Sequence, residues 1–103
     1  MEKFDLGTVI AERRFLLPDG KRITVKIGMP RRLDDGNFFS CPYKILGVQK
    51  EVTRRAGGID AVQAIQSAFQ NIGSLLSVLN ELYGNALAWE GGEKGDLGFP
   101  LPQ

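Results

Sequence analysis

The sequence predicts an α+β domain: a four-stranded, mainly antiparallel sheet in meander order, packed by one long C-terminal helix, with a short fifth strand after it. Two patterns predict this. Residues 8–56 alternate apolar and polar side chains between turn signals, the period of strands with one buried face. Residues 60–83 switch to apolar steps of three and four, the period of a helix with one buried face. At 103 residues the chain has the size of one domain, residues 1–103, with no repeat and no linker dividing it.

The first strand covers residues 8–17, where Val9, Ala11, Phe15 and Leu17 share a face that Arg13 interrupts. An arginine there needs a partner or a path to water. Pro18-Asp19-Gly20 supplies a hairpin turn, since proline presets the first dihedral and glycine accepts a positive φ. The second strand, residues 21–28, sets Ile23, Val25 and Ile27 inward and Arg22, Thr24 and Lys26 outward. Residues 29–36 carry breakers and charge and read as a surface loop. The third strand, residues 37–46, offers Phe39, Cys41, Tyr43 and Ile45 to one face. Pro42, which has no N–H, places it at a sheet edge or a bulge. Gly47 turns the chain into a polar, weakly patterned fourth strand over residues 48–56, and Gly57-Gly58 closes the β region.

The helix has the clearest signals. Asp60 is a good N-cap, and Gln63 three residues later completes a capping box. Val62, Ile65, Phe69, Ile72, Leu76, Leu79 and Tyr83 form the stripe, which Ala61, Ala68, Leu75 and Leu82 widen. Gly73 is either a cost of about 1 kcal/mol against alanine or a close-packing point. Gly84 and Asn85 stop the helix. At about 1.5 Å per residue its length is on the order of 35 Å, against ~17–20 Å for a typical strand, so one helix end is expected to overhang the sheet. Residues 86–90 make the short last strand with Trp89, and residues 91–103 form a tail rich in glycine and proline.

Composition excludes several classes. The chain is 43% hydrophobic and 24% charged, ordinary for a globular protein. Its single cysteine, Cys41, forms no intramolecular disulfide and suits a reducing compartment. The first residues hold Glu2 and Asp5 and no apolar run of signal-peptide length. Residues 61–80 are free of charge but rich in Gln, Ser and Asn, a poor membrane span. A cytoplasmic protein without membrane contact is expected. The net charge of +1 conceals a split: residues 1–56 hold twelve Lys or Arg against seven acids, and residues 57–103 one Lys against five.

Gly58-Ile59-Asp60-Ala61-Val62-Gln63-Ala64 and the run from Trp89 to Pro100 (WEGGEKGDLGFP) resemble segments of a family of small bacterial proteins classed as a domain of unknown function. Ile10-Ala11-Glu12-Arg13, Pro18-Asp19-Gly20 and Cys41-Pro42-Tyr43 are similar to its other recurring segments. The resemblance spans most of the chain. It implies a bacterial cytoplasmic protein and makes the glycine-rich tail a family feature. It implies no activity and no site residues.

Chemistry-bearing constellations are sparse. With no histidine, His-based acid–base catalysis, catalytic triads and histidine metal sites are excluded. Cys41 lies on an inward face and reads as a structural thiol. Gly57-Gly58 lacks the further glycine or lysine of a phosphate loop. The tail acids Glu90, Glu93 and Asp96 lack the density of a calcium loop, and a tail docked through Phe99 is the preferred reading. No enzymatic activity, cofactor or metal is expected. Arg14, Arg22, Lys26 and Lys44 are expected to share the outer sheet face with Phe38, a combination able to bind phosphates and stack bases. A solvated antiparallel face is normally charged as well. The primary expectation is therefore a non-enzymatic protein-interaction module of immunity or adaptor type, homodimerisation included. Binding of nucleic acid or another polyanion through the basic face is the alternative.

Overall fold

The structure is a computed structural model describing residues 6–33, 36–48, 51–93 and 95–100. Its elements in chain order are β1 (Val9–Leu16), β2 (Arg22–Gly28), β3 (Arg31–Arg32), β4 (Phe39–Leu46), β5 (Val52–Gly58), α1 (Ala61–Leu82) and β6 (Ala88–Trp89). Residues 49 and 50 of the expected fourth strand, 34 and 35 of the expected loop, and 94 and 101–103 of the expected tail lie outside the described residues, as do 1–5.

All strands join one sheet, and each pairing is antiparallel. β1, β2, β4 and β5 lie side by side in chain order, and β6 pairs with the outer flank of β1. The sheet has six strands, not the four plus one expected. The additional strand is β3, inside the segment that reads as a loop, where Arg31 and Arg32 pair with Ser40 and Phe39. It continues the flank of β4 that β2 occupies further along. Between the Ile27–Tyr43 and Arg31–Ser40 pairs, residues 28–30 face residues 41 and 42, which is the count of a bulge. Pro42 falls at this interruption. It is not on an edge strand, because β4 has β2 and β3 on one flank and β5 on the other. Gly57 and Gly58 are the end of β5, paired with Ser40 and Phe39.

The hairpin between β1 and β2 forms as its residues dictate: the Gly20 N–H donates to the Leu17 carbonyl at 2.9 Å, and Asp19 Oδ1 accepts from the Lys21 N–H at 2.9 Å. Strand alternation buries Phe15, Leu17, Ile23, Val25, Ile27, Cys41, Tyr43 and Ile45 on one face in a single hydrophobic cluster. Burying each large apolar side chain contributes about 1.5–3 kcal/mol before chain entropy is counted.

α1 covers this face over β4 and β5. At its N-terminus the Gln63 N–H donates to Asp60 Oδ1 as in a capping box, while Gln63 Oε1 accepts from the N–H of Ile59, one residue before the N-cap, each at 2.7 Å. Gly84 and Asn85 take left-handed conformations and end it. The buried seam is Ala64, Ala68, Ile72 and Leu76, rotated away from the expected stripe. Alanines with nothing beyond Cβ let the helix approach the sheet, which leaves Val62 exposed and Ile65, Phe69, Leu79 and Tyr83 half-buried. On the β1 side the tail completes the cover. Phe99 stacks on Phe15 with centroids 6.5 Å apart and meets Phe69 edge-on at 5.8 Å. It crosses α1 at Gly73, where any Cβ would collide with the Pro100 carbonyl oxygen. Gly73 is therefore a close-packing point.

Candidate interaction surfaces

The outer sheet face carries no helix among the described residues, and its register fixes the basic side chains. Lys26 on β2 stands opposite Lys44 on β4 and, on its other side, opposite Glu12 on β1. Arg14 stands opposite Thr24, so Arg22 and Lys26 are its diagonal neighbours on the same face. Arg22 itself is opposite Leu16. These four residues are brought together as expected. Phe38 is not brought among them: it precedes β4, 48% exposed. Six residues from Lys44 along an extended chain is about 20 Å. The acids Glu12 and Glu90 dilute the patch, and Arg14 makes a loose 3.9 Å ion pair with Glu90 between exposed side chains, an arrangement that contributes little.

On the helix side, Arg13 has the partner its inward position demands. Its guanidinium lies 4.5 Å from the Trp89 ring centroid and 5.4 Å from that of Phe99, and it donates to the Gly98 carbonyl at 2.5 Å. Trp89 is placed by β6, whose pairing with β1 continues in a bond from the Glu90 N–H to the Arg14 carbonyl. The Trp89 Nε1 is buried without a hydrogen-bond partner among the described residues. A groove of about 260 Å³ opens beside Arg13 over Ala11, Ile27, Phe69 and Phe99.

A second groove, about 470 Å³, lies at the C-terminal end of α1 beside the start of β5. Val48 and Val52 form one wall, and Leu75, Val78, Leu79, Leu82 and Tyr83 the other. Val78 is 58% exposed and Leu82 74%. This is the expected exposed helix end. Of its helical wall, Leu79 and Tyr83 belong to the expected stripe and Leu75 and Leu82 to the row that widens it; only Val78 lies outside both. Leu75, Val78 and Leu82 are themselves spaced by three and four, a second apolar row readable in the sequence.

The one thiol of the chain is not an activated one. Cys41 is fully buried, its thiol 3.5 Å from the Gly28 carbonyl, and burial pushes its pKa up, the reverse of nucleophile activation. The Asp96 carboxylate accepts from the Gly98 N–H and so shapes the tail. Among the described residues no three Cys, Asp or Glu side chains gather as metal ligands, and no helix is long and apolar enough to cross a membrane.

One helix laid across an all-antiparallel six-stranded sheet, with a tail sealing the flank, defines a small α+β domain. The chain belongs to the family described as domain of unknown function DUF6968, whose model matches residues 11–101. No curated protein and no solved structure matches it.

Proposed function

We propose that the chain is a non-enzymatic protein-interaction module of adaptor or immunity type, acting in the bacterial cytoplasm, and that it works through the flank built from β5 and the C-terminal half of α1. The carrying observation is the groove walled by Val78 and Leu82 on one side and Val48 and Val52 on the other. Apolar surface held open to water is covered favourably by a protein partner. Among the described residues β5 pairs with β4 alone, so its other flank can receive a further strand. The partner is accordingly a protein that presents an extended strand with apolar side chains beside it.

Comparing capture by the native chain, Leu82→Glu and Lys26→Glu tests this reading. A partner kept by the native chain and Lys26→Glu but lost by Leu82→Glu supports it. A partner that ignores Leu82→Glu, or leaves with Lys26→Glu, overturns it.

The direct apposition of Lys26 and Lys44, with Arg14 and Arg22 on the same uncovered face, favours polyanion binding as the second reading. Phosphate contacts are strongest at low ionic strength. Anisotropy of labelled single-stranded RNA at two salt concentrations therefore decides it, and no binding at low salt ends it.

A further inference from the structure

We infer that the partner covering the β5–α1 flank is a second copy of this chain, joined about a two-fold axis at Thr53 so that two sheets continue through paired β5 strands. This rests on the interaction reading above and names its partner. Three observations converge on that flank. First, β5 is open on one side among the described residues, next to the apolar groove. Second, α1 spends 22 residues with one charged side chain, Glu81. A helix face meant for water normally carries charges, whereas the core of an interface is depleted of them.

Third, the charges along the strand select the register. Glu51 precedes β5, and Arg54 and Arg55 lie within it. Antiparallel self-pairing centred on Arg55 would oppose like charges, the device by which edge strands resist indiscriminate pairing. Centring on Thr53 instead places each Glu51 opposite Arg55 of the other copy, with Thr53 opposite Thr53. The same axis brings the two grooves face to face. α1 returns antiparallel to β5, with Ala64 against Gly58 and Leu75, Val78 and Leu82 beside the Val52 end. Leu75, Val78 and Leu82 would then meet their own counterparts, the self-complementary contact a closed dimer requires.

Sedimentation velocity of the full chain up to several hundred micromolar is the primary test. The native chain is expected to be a dimer. Val78→Glu and Leu82→Glu, at exposed positions where the fold should survive, are expected to weaken dimerisation ~100-fold or more, since each places charges in an apolar contact. Glu51→Arg is expected to weaken it, and the added Arg55→Glu to restore it. Thr53→Cys is expected to give a covalent dimer with a short bis-maleimide, while buried Cys41 stays unmodified. A dimer indifferent to Val78→Glu and Leu82→Glu, or one without the Thr53 cross-link, overturns the proposal. A chain monomeric at every concentration overturns it too, yet leaves the interaction reading standing if a foreign partner is still lost on Leu82→Glu.

Discussion

Arg13 and Trp89, 76 positions apart in the chain, are stacked with the guanidinium 4.5 Å from the ring centroid. The arginine on the apolar face of β1 is thus the tie that holds the last strand and the tail. A cation over an aromatic ring contributes about 0.5–2 kcal/mol according to its desolvation, and a hydrogen bond from a charged donor about 1.5–3 kcal/mol. Arg13→Ala is expected to destabilise the fold by about 1–3 kcal/mol, because these contributions overlap on one half-exposed group. Arg13→Lys should recover only part of this, lacking the planar guanidinium. Urea denaturation followed by Trp89 fluorescence measures both, and an unchanged midpoint in Arg13→Ala would remove the tie from the account.

Gly73→Ala should reverse the usual sign for a helix. Alanine inside a helix is better than glycine by about 1 kcal/mol. Here its methyl would collide with the Pro100 carbonyl oxygen, so the tail must lift before the helix can gain. The expected result is release of Phe99 from Phe15 and Phe69, seen as faster proteolysis after residue 95, with helix content retained. A variant more stable than the native chain with an equally protected tail would contradict the packing described.

The contrast between these two positions shows what could be read from sequence. The three- and four-residue spacing, the capping box and the strand alternation are local patterns, and the helix, the hairpin and the order of the four long strands follow from them. Arg13 was legible as an anomaly but not as a solution, because Trp89, Gly98 and Phe99 reach it only through tertiary folding. β3 was missed since two arginines beside a proline have no strand signature; only β4, lying alongside, makes them a strand. The helix face was misjudged by a fraction of a turn because hydrophobicity alone ranks Val62 above Ala64, whereas close approach to the sheet favours the alanine. Four of the five outer-face residues followed from alternation. Phe38 did not, because β4 begins one residue later, at Phe39.

The capping box should behave as a coupled pair. Asp60→Ala removes the acceptor for the Gln63 N–H and is expected to cost about 1 kcal/mol. Gln63→Ala frees the Ile59 N–H, an exposed group that water can satisfy, and should cost less. Because Gln63 donates its N–H to Asp60 and accepts from Ile59, the two bonds brace one turn, and the double variant should lose less than the sum of the two single losses. Thermal denaturation of the four chains closes the cycle, and strict additivity would mean that the two bonds act independently.

Stability should fall on the alkaline side through two buried groups. Burial raises the Cys41 thiol above its ordinary 9.0 and the Tyr43 hydroxyl above its ordinary 10.0, the latter partly offset by the charge of Arg54 and a hydrogen bond with Asn71. Both groups are neutral when protonated. Above each ordinary value the unfolded chain has released a proton that the folded chain still holds, so stability decreases as pH rises through that interval and is unaffected below it. The urea midpoint, measured under reducing conditions, should therefore be level from about pH 7 to 8 and decline from about pH 9 upward. Cys41→Ala should flatten the part of the decline that begins near 9.0, and Tyr43→Phe the part that begins near 10.0, whatever each substitution does to the midpoint at neutral pH. Parallel curves would assign the alkaline loss to groups on the surface and leave burial of the thiol and the phenol without effect on it.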